Sequence, residues 1–194
     1  MWDLFWGVHI TPAEALGRVA RRRPLGLSLL ALYVGSLLGA GGLGVAKIGG
    51  FGGSFPFPKG WGPWAIVVGA IFLAPAFWFM VAGLLHMASE FMGGEGTGWS
   101  VATALGFAWL PLLWLLPFSL LCLAVKGAAP IWAVKALWFL LLLGVLAWTL
   151  ILTVVAVREA HRFGTGKAVA AVCWSVGVIA FVAVTVILIQ AVSG

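Results

Sequence analysis

Apolar positions along the chain gather into five long stretches, about 25–46, 64–88, 101–125, 131–157 and 168–192, and every Asp, Glu and Arg lies outside their central portions. Each stretch exceeds the ~20 residues that cross a hydrocarbon core about 30 Å thick. No water is available there to satisfy backbone N–H and C=O groups, so each segment must close its own hydrogen bonds as a helix. The pattern predicts an all-α, polytopic integral membrane protein with five transmembrane helices, forming one membrane domain over residues 1–194.

Ahead of the first stretch, residues 1–24 change pattern. Thr11-Pro12-Ala13-Glu14 offers an N-cap hydroxyl, a proline at the first helical position and a glutamate three residues after the cap. Ala15, Leu16 and Val19 then share one helical face, with Arg18, Arg21 and Arg22 around the other. Trp2, Phe5 and Trp6 supply aromatic anchors at headgroup depth. This predicts an N-terminal interfacial amphipathic helix, open to contact with anionic lipid or a partner.

Composition removes the soluble alternative: 63% hydrophobic and 8% charged residues, with mean hydropathy +1.17, leave too little polar surface for a soluble domain. The longest connection, Lys47 to Pro63, is Gly, Pro and aromatics without apolar periodicity, so no second domain is expected. A formal charge of +6 raises nucleic acid as a partner, but the basic residues sit at membrane boundaries rather than in a patch that tracks phosphates. Alternate sides carry seven Lys and Arg (Arg18, Arg21, Arg22, Arg23, Arg158, Arg162, Lys167) against four (Lys47, Lys59, Lys126, Lys135). The orientation rule counts those residues, which places the N-terminus in the cytoplasm and the C-terminus outside. Asp3, Glu14, Glu90, Glu95 and Glu159 also fall on the N-terminal side, so net charge runs the other way, +2 against +4.

Within the stretches no ionisable group lies near the midplane, where proton relays and ion-coupled transporters need one. Lys135 is one turn from an end and can snorkel. His86 and Glu90, one helical turn apart, have a spacing that can hold a metal, but no third ligand follows in sequence, so they read as a solvated helix end; no metal, cofactor or catalytic residue is expected. Gly-x-Ser-x-Gly is absent, and Cys122 and Cys173 sit near opposite ends of their spans, too far apart to pair. Gly93-Gly94-Glu95-Gly96-Thr97-Gly98 lacks the strand and lysine of a phosphate loop and reads as a turn, with Thr97 or Ser100 capping the third span.

Two further patterns concern assembly. Gly96–Ala102 is echoed by Gly164–Ala170 with five identities in seven, which suggests paired hairpins of spans two and three and of spans four and five. Ala31, Gly35 and Gly39 recur every fourth residue in span one, a flat face for close backbone approach, either within the bundle or to a second copy. Pro75, Pro111 and Pro117 remove backbone donors inside spans two and three and predict kinks.

Thr11-Pro12-Ala13-Glu14-Ala15-Leu16 before a basic turn, Leu84-Leu85-His86-Met87 running to Gly93-Gly94, Gly106-Phe107-Ala108-Trp109-Leu110-Pro111, and Phe163-Gly164-Thr165-Gly166-Lys167-Ala168 occur in an order and spacing that resemble the Yip family. These are five-span proteins named for interaction with Ypt/Rab GTPases. The resemblance implies an N-in, C-out bundle and a non-enzymatic role in membrane organisation or trafficking through GTPases or membrane-shaping partners. The chain lacks the long cytosolic N-terminal region of eukaryotic members, so GTPase binding is not expected and a prokaryotic plasma-membrane relative is.

The leading functional expectation is a scaffold or adaptor that meets the bilayer, membrane-protein partners or another copy. Its candidate contacts are Trp2, Phe5, Trp6, Arg18, Arg21, Arg22, Arg23, His86, Glu90, Gly93, Gly94, Arg158, Arg162 and Lys167. The alternative is a small transporter or channel for an apolar or lipid-like substrate, with Trp78, Trp109, Trp114, Trp138 and Trp148 lining an aromatic pocket.

Overall fold

The computed structural model describes the backbone of residues 2–52 and 69–193 and the side chains of 3–52 and 71–190. Lys59, the start of the second stretch at Trp64 and the side chain of Trp2 lie outside the described residues. Among the described residues there is no strand. The helices are α1 (Trp2–Ile10), α2 (Pro12–Arg22), α3 (Leu25–Gly49), α4 (Ala74–Phe91), α5 (Gly98–Ala108), α6 (Leu115–Val125), α7 (Ile131–His161) and α8 (Thr165–Ser193). Five helical segments are long and apolar enough to span a membrane: Leu25–Gly49, Ile71–Phe91, Gly98–Val125, Ile131–His161 and Thr165–Gln190.

The third of these is the axis of the bundle. Its first half, α5, is buried from Ser100 to Ala108, and α3 packs along its whole length. At Pro111 the missing N–H breaks the α ladder, and Leu110–Trp114 form a tighter turn of i to i+3 type before α6 resumes. Pro75 acts similarly in span two, where a widened turn over Gly69–Leu73 precedes α4. Pro117, by contrast, lies within α6.

The glycine stripe of α3 faces this central span, so its partner lies inside the chain. A Cβ on Gly35 would sit 3.1 Å from the Trp109 carbonyl oxygen and one on Gly39 3.2 Å from that of Leu112. From the opposite side Gly106 makes room for Ser28, with a Cβ there 2.7 Å from the Ser28 carbonyl oxygen. Apolar side chains gain little by leaving lipid for protein, so such backbone approach and its dispersion contacts carry helix association. Ser28 adds a buried bond to the Thr103 carbonyl oxygen at 3.0 Å.

α4 packs against α5 and α8, while α7 packs against α2, α5, α6 and α8. A second core at the far end joins Ala46, Phe51, Cys122, Val134 and Trp138, with Trp138 Nε1 donating to Ser119 Oγ at 3.0 Å. Cys173 is exposed rather than packed in a core.

The N-terminal helices form a hairpin turned by the Thr11 N–H bond to the Gly7 carbonyl oxygen, 2.8 Å. Pro12 holds the first position of α2, as expected, but the Thr11 hydroxyl makes no capping bond. The amphipathic pattern of α2 is present; its apolar face, Ala15, Leu16, Val19 and Ala20, is buried against α5 and α7 instead of lying on lipid. α1 is apolar nearly all round, the pattern of a helix surrounded by protein or lipid, and its Val8 is fully buried.

Candidate functional site

Three segments far apart in sequence lie around the end of α7: α2, which packs on α5 and α7, the loop 92–97, which bonds His161, and the turn 162–164 that follows it. The loop reverses at Gly93, whose φ of 78° is a left-handed conformation that glycine adopts without a Cβ penalty. Thr97 then caps α5, its Oγ1 accepting from the Ser100 N–H at 3.4 Å. α7 ends with Arg162 in the left-handed region, φ 53°, and α2 with Arg23, φ 50°.

His161 ties the loop to the turn. The Gly96 N–H donates to its Nδ1 at 3.1 Å, and the Glu95 N–H to its carbonyl oxygen at 3.4 Å. Because Nδ1 accepts from a backbone donor it carries a lone pair, which assigns the neutral ring with its proton on Nε2. The ring is 1% exposed and stacks on His86, centroids 5.4 Å apart and planes at 24°. His86 Nε2 in turn lies 3.4 Å from Glu90 Oε1. His161 is therefore the third group beside His86 and Glu90 that the sequence reading did not place. Stacked rings point their nitrogen lone pairs in parallel planes, and among the described residues no three His, Cys, Asp or Glu side chains group to hold a metal.

Charged side chains knit the remaining edges. Arg158 and Glu159 pair at 2.8 Å, and Arg158 Nη1 reaches Thr165 Oγ1 at 3.4 Å. Lys167 Nζ donates to the Met92 carbonyl oxygen at 2.8 Å. Arg23 Nε donates to Ser100 Oγ at 3.1 Å. A Cβ on Gly17 would lie 3.1 Å from Glu159 Oε2, so α2 is seated against the Glu159 side chain of α7, with its own Arg21 Nη1 at 3.4 Å. Arg18, Arg21, Arg22, Arg23, Glu90, Arg162 and Lys167 remain exposed, and Gly94 lies against His161.

Phe5 departs from headgroup anchoring, because it packs against the core, while Trp6 is 53% exposed on α1. One turn on from Phe5, His9 Nε2 accepts from Trp114 Nε1 at 3.4 Å, and His9 Nδ1 bonds the Phe5 carbonyl oxygen at 2.9 Å. Trp114 stands near the middle of the Gly98–Val125 span, so α1 carries an ionisable side chain to a depth where the spans themselves have none. Both ring nitrogens of His9 are hydrogen-bonded there.

The five tryptophans suggested for an aromatic pocket do not converge. Trp78 and Trp138 are buried in separate cores, Trp114 and Trp148 line a groove with His9, and Trp109 lines a cleft of about 240 Å³ between spans two to five. The hydroxyls in that cleft, Thr149, Thr153 and Ser175, are each bonded to a carbonyl oxygen one turn back in their own helix.

Comparison with known proteins agrees with the family resemblance read from the sequence. The family model for the Yip1 domain matches residues 6–188, nearly the whole chain. No curated protein and no solved structure matches. A match of that extent, on a bundle of five apolar helices, shows that the chain is an integral membrane protein belonging to the Yip1 family.

Proposed function

We propose that this Yip1-family protein is a non-enzymatic scaffold or adaptor in membrane organisation, which engages membrane-protein partners through its basic face. The observation that carries the reading is the joining of the loop 92–97 to the turn 162–164 through His161 and Lys167, beside α2, which packs on α7 with Gly17 against Glu159. Side chains suggested from sequence as contacts, among them Arg21, Glu90, Gly93, Arg162 and Lys167, are exposed together there. Exposed arginines such as Arg21 and Arg162, a residue type enriched at protein interfaces, suit a docking face. The excess of Lys and Arg on this side supports placing it in the cytoplasm, with the C-terminus outside.

Transport of an apolar substrate draws less support, since the cleft among spans two to five has its hydroxyls turned back on their own helices.

In-cell photocrosslinking followed by identification of captured proteins tests the scaffold reading. Arg21→Gln with Arg162→Asn is expected to lower recovery of specific partners about tenfold, the equivalent of ~1.4 kcal/mol. Both positions are exposed and asparagine tolerates the left-handed backbone of Arg162, so thermal stability is expected to change by no more than about 0.5 kcal/mol. Undiminished recovery of the same partners by the double variant overturns the reading.

A further inference from the structure

Between α1, α3 and the central span runs an apolar groove of about 340 Å³, lined by Phe5, Leu27, Ala31, Val34, Leu38 and Phe107 among others. Its length is informative. From Leu27 to Leu38 is eleven residues of helix, about 16 Å at 1.5 Å per residue, close to half of a hydrocarbon core about 30 Å thick. The groove is thus one leaflet long. Its wall on one side is Phe5 of α1, a helix that spans nothing and turns a flat helix seam into a concave channel.

The end of the groove toward the basic face is electropositive. Leu25 begins α3 after Pro24, and Arg22 and Arg23 close α2 just before that turn, at the end of the first span. Arg23 Nε bonds Ser100, two helical turns before Phe107 on the central span, so its guanidinium sits over the same seam. Arg23 also occupies a left-handed backbone position, φ 50°, where glycine or asparagine is the usual residue. A cation is held there against backbone preference, a feature that clusters at functional positions. Arg18, one turn before Arg22 on α2, leans toward α1, its Nη2 3.5 Å from where a Gly7 Cβ would be. Among the described residues no carboxylate pairs with Arg18, Arg22 or Arg23.

We propose that this groove is a binding site for an anionic glycerophospholipid, with one acyl chain along Leu27 to Leu38 and the phosphate resting on Arg22 and Arg23. Charge at the rim selects the headgroup, and the leaflet-long apolar channel selects a lipid over a soluble phosphate. The site stands apart from the scaffold reading, because lipid retention is measured without any protein partner.

Native mass spectrometry of the purified protein, equilibrated with equal amounts of phosphatidylglycerol and phosphatidylcholine bearing the same acyl chains, tests it. The expected result is one retained phosphatidylglycerol, preferred about tenfold, the selectivity that two interfacial arginines confer. Arg22→Gln with Arg23→Gln, and separately Val34→Trp to fill the groove from an exposed position, are each expected to bring the two lipids to parity. Should the double arginine variant misfold, Arg23→Gly removes the guanidinium while easing the backbone and is expected to lower the preference at least about threefold. Equal retention of both lipids by the parent protein overturns the proposal. So does a preference that survives the arginine variants, or one that Val34→Trp leaves intact, which assigns it to diffuse surface charge.

Discussion

Gly42→Val in α3 is expected to keep the bundle from assembling. A Cβ at Gly42 would stand 2.5 Å from the Leu115 carbonyl oxygen and 2.6 Å from the Leu116 nitrogen. Those are backbone atoms at the point where the tight turn of the central span passes into α6, so no change of rotamer relieves the overlap. Relief requires moving α3 away from the central span, which forfeits the close approach at Gly35 and Gly39 as well. Overpacking a well-packed core costs about 1–3 kcal/mol, and an insertion against backbone along a whole helix seam is expected at or above ~3 kcal/mol. Thermal denaturation in detergent, read with the elution profile on gel filtration, measures it. Gly44→Ala is the control: nothing lies within 4 Å of a Cβ there, and a change within about 1 kcal/mol of the parent is expected. A Gly42→Val protein that melts like the parent rules out the α3 seam described here.

That seam shows what a single chain reveals about its own packing. The recurrence of Ala31, Gly35 and Gly39 announces a surface for close approach, but small residues do not name the backbone that comes near. The approach of Gly35 to Trp109 and Gly39 to Leu112, with the reciprocal recess at Gly106 opposite Ser28, identifies it, and glycines in two spans acquire that relation only once the spans are placed. The five spans themselves are legible because bilayer thickness and backbone satisfaction leave a long apolar run one solution.

α2 was legible as a helix and not as to what covers it, while residues 2–10, a second helix, were read only as carrying aromatic anchors. The stripe Ala15, Leu16, Val19 reads identically whether it meets acyl chains or the sides of α5 and α7. Its neighbour α1 carries Leu4, Phe5, Val8 and Ile10 nearly all round, a pattern that suits protein and lipid alike: Val8 is buried, Ile10 is exposed, and His9 travels with the helix to Trp114. A search for ionisable groups confined to the spans passes over that histidine. The candidate contacts on the basic face were legible as loop and helix-end residues, whereas the residue that gathers them, His161, was not. It lies at the end of a long apolar helix with nothing in its local sequence to distinguish a ring that faces water from one buried beneath a glycine loop.

His161→Leu is expected to release that loop. The substitution leaves the Gly96 N–H facing a methyl group in place of Nδ1 and removes the ring stacked on His86. A donor left without its acceptor costs about 1–3 kcal/mol. His161→Asn carries a carbonyl oxygen at nearly the reach of Nδ1 and is expected to restore most of the loss. The surroundings permit little else: a Cβ on Gly94 would lie 2.5 Å from Nδ1, and one on Gly96 would meet the Ala160 carbonyl oxygen, so glycines and ring are fitted to one another. Hydrogen exchange resolves the roles by residue. In His161→Leu the Gly96 amide is expected to exchange more than about tenfold faster, the kinetic equivalent of ~1.4 kcal/mol, and in His161→Asn close to the parent rate. The Glu95 amide, bonded to the main chain of residue 161 rather than to its ring, reports whether the turn itself has moved. Protection of Gly96 that is the same in parent and both variants would mean that Lys167 on the Met92 carbonyl oxygen and the Glu95 bond hold the loop without the ring. The basic face would then be fastened at its edges rather than at its centre.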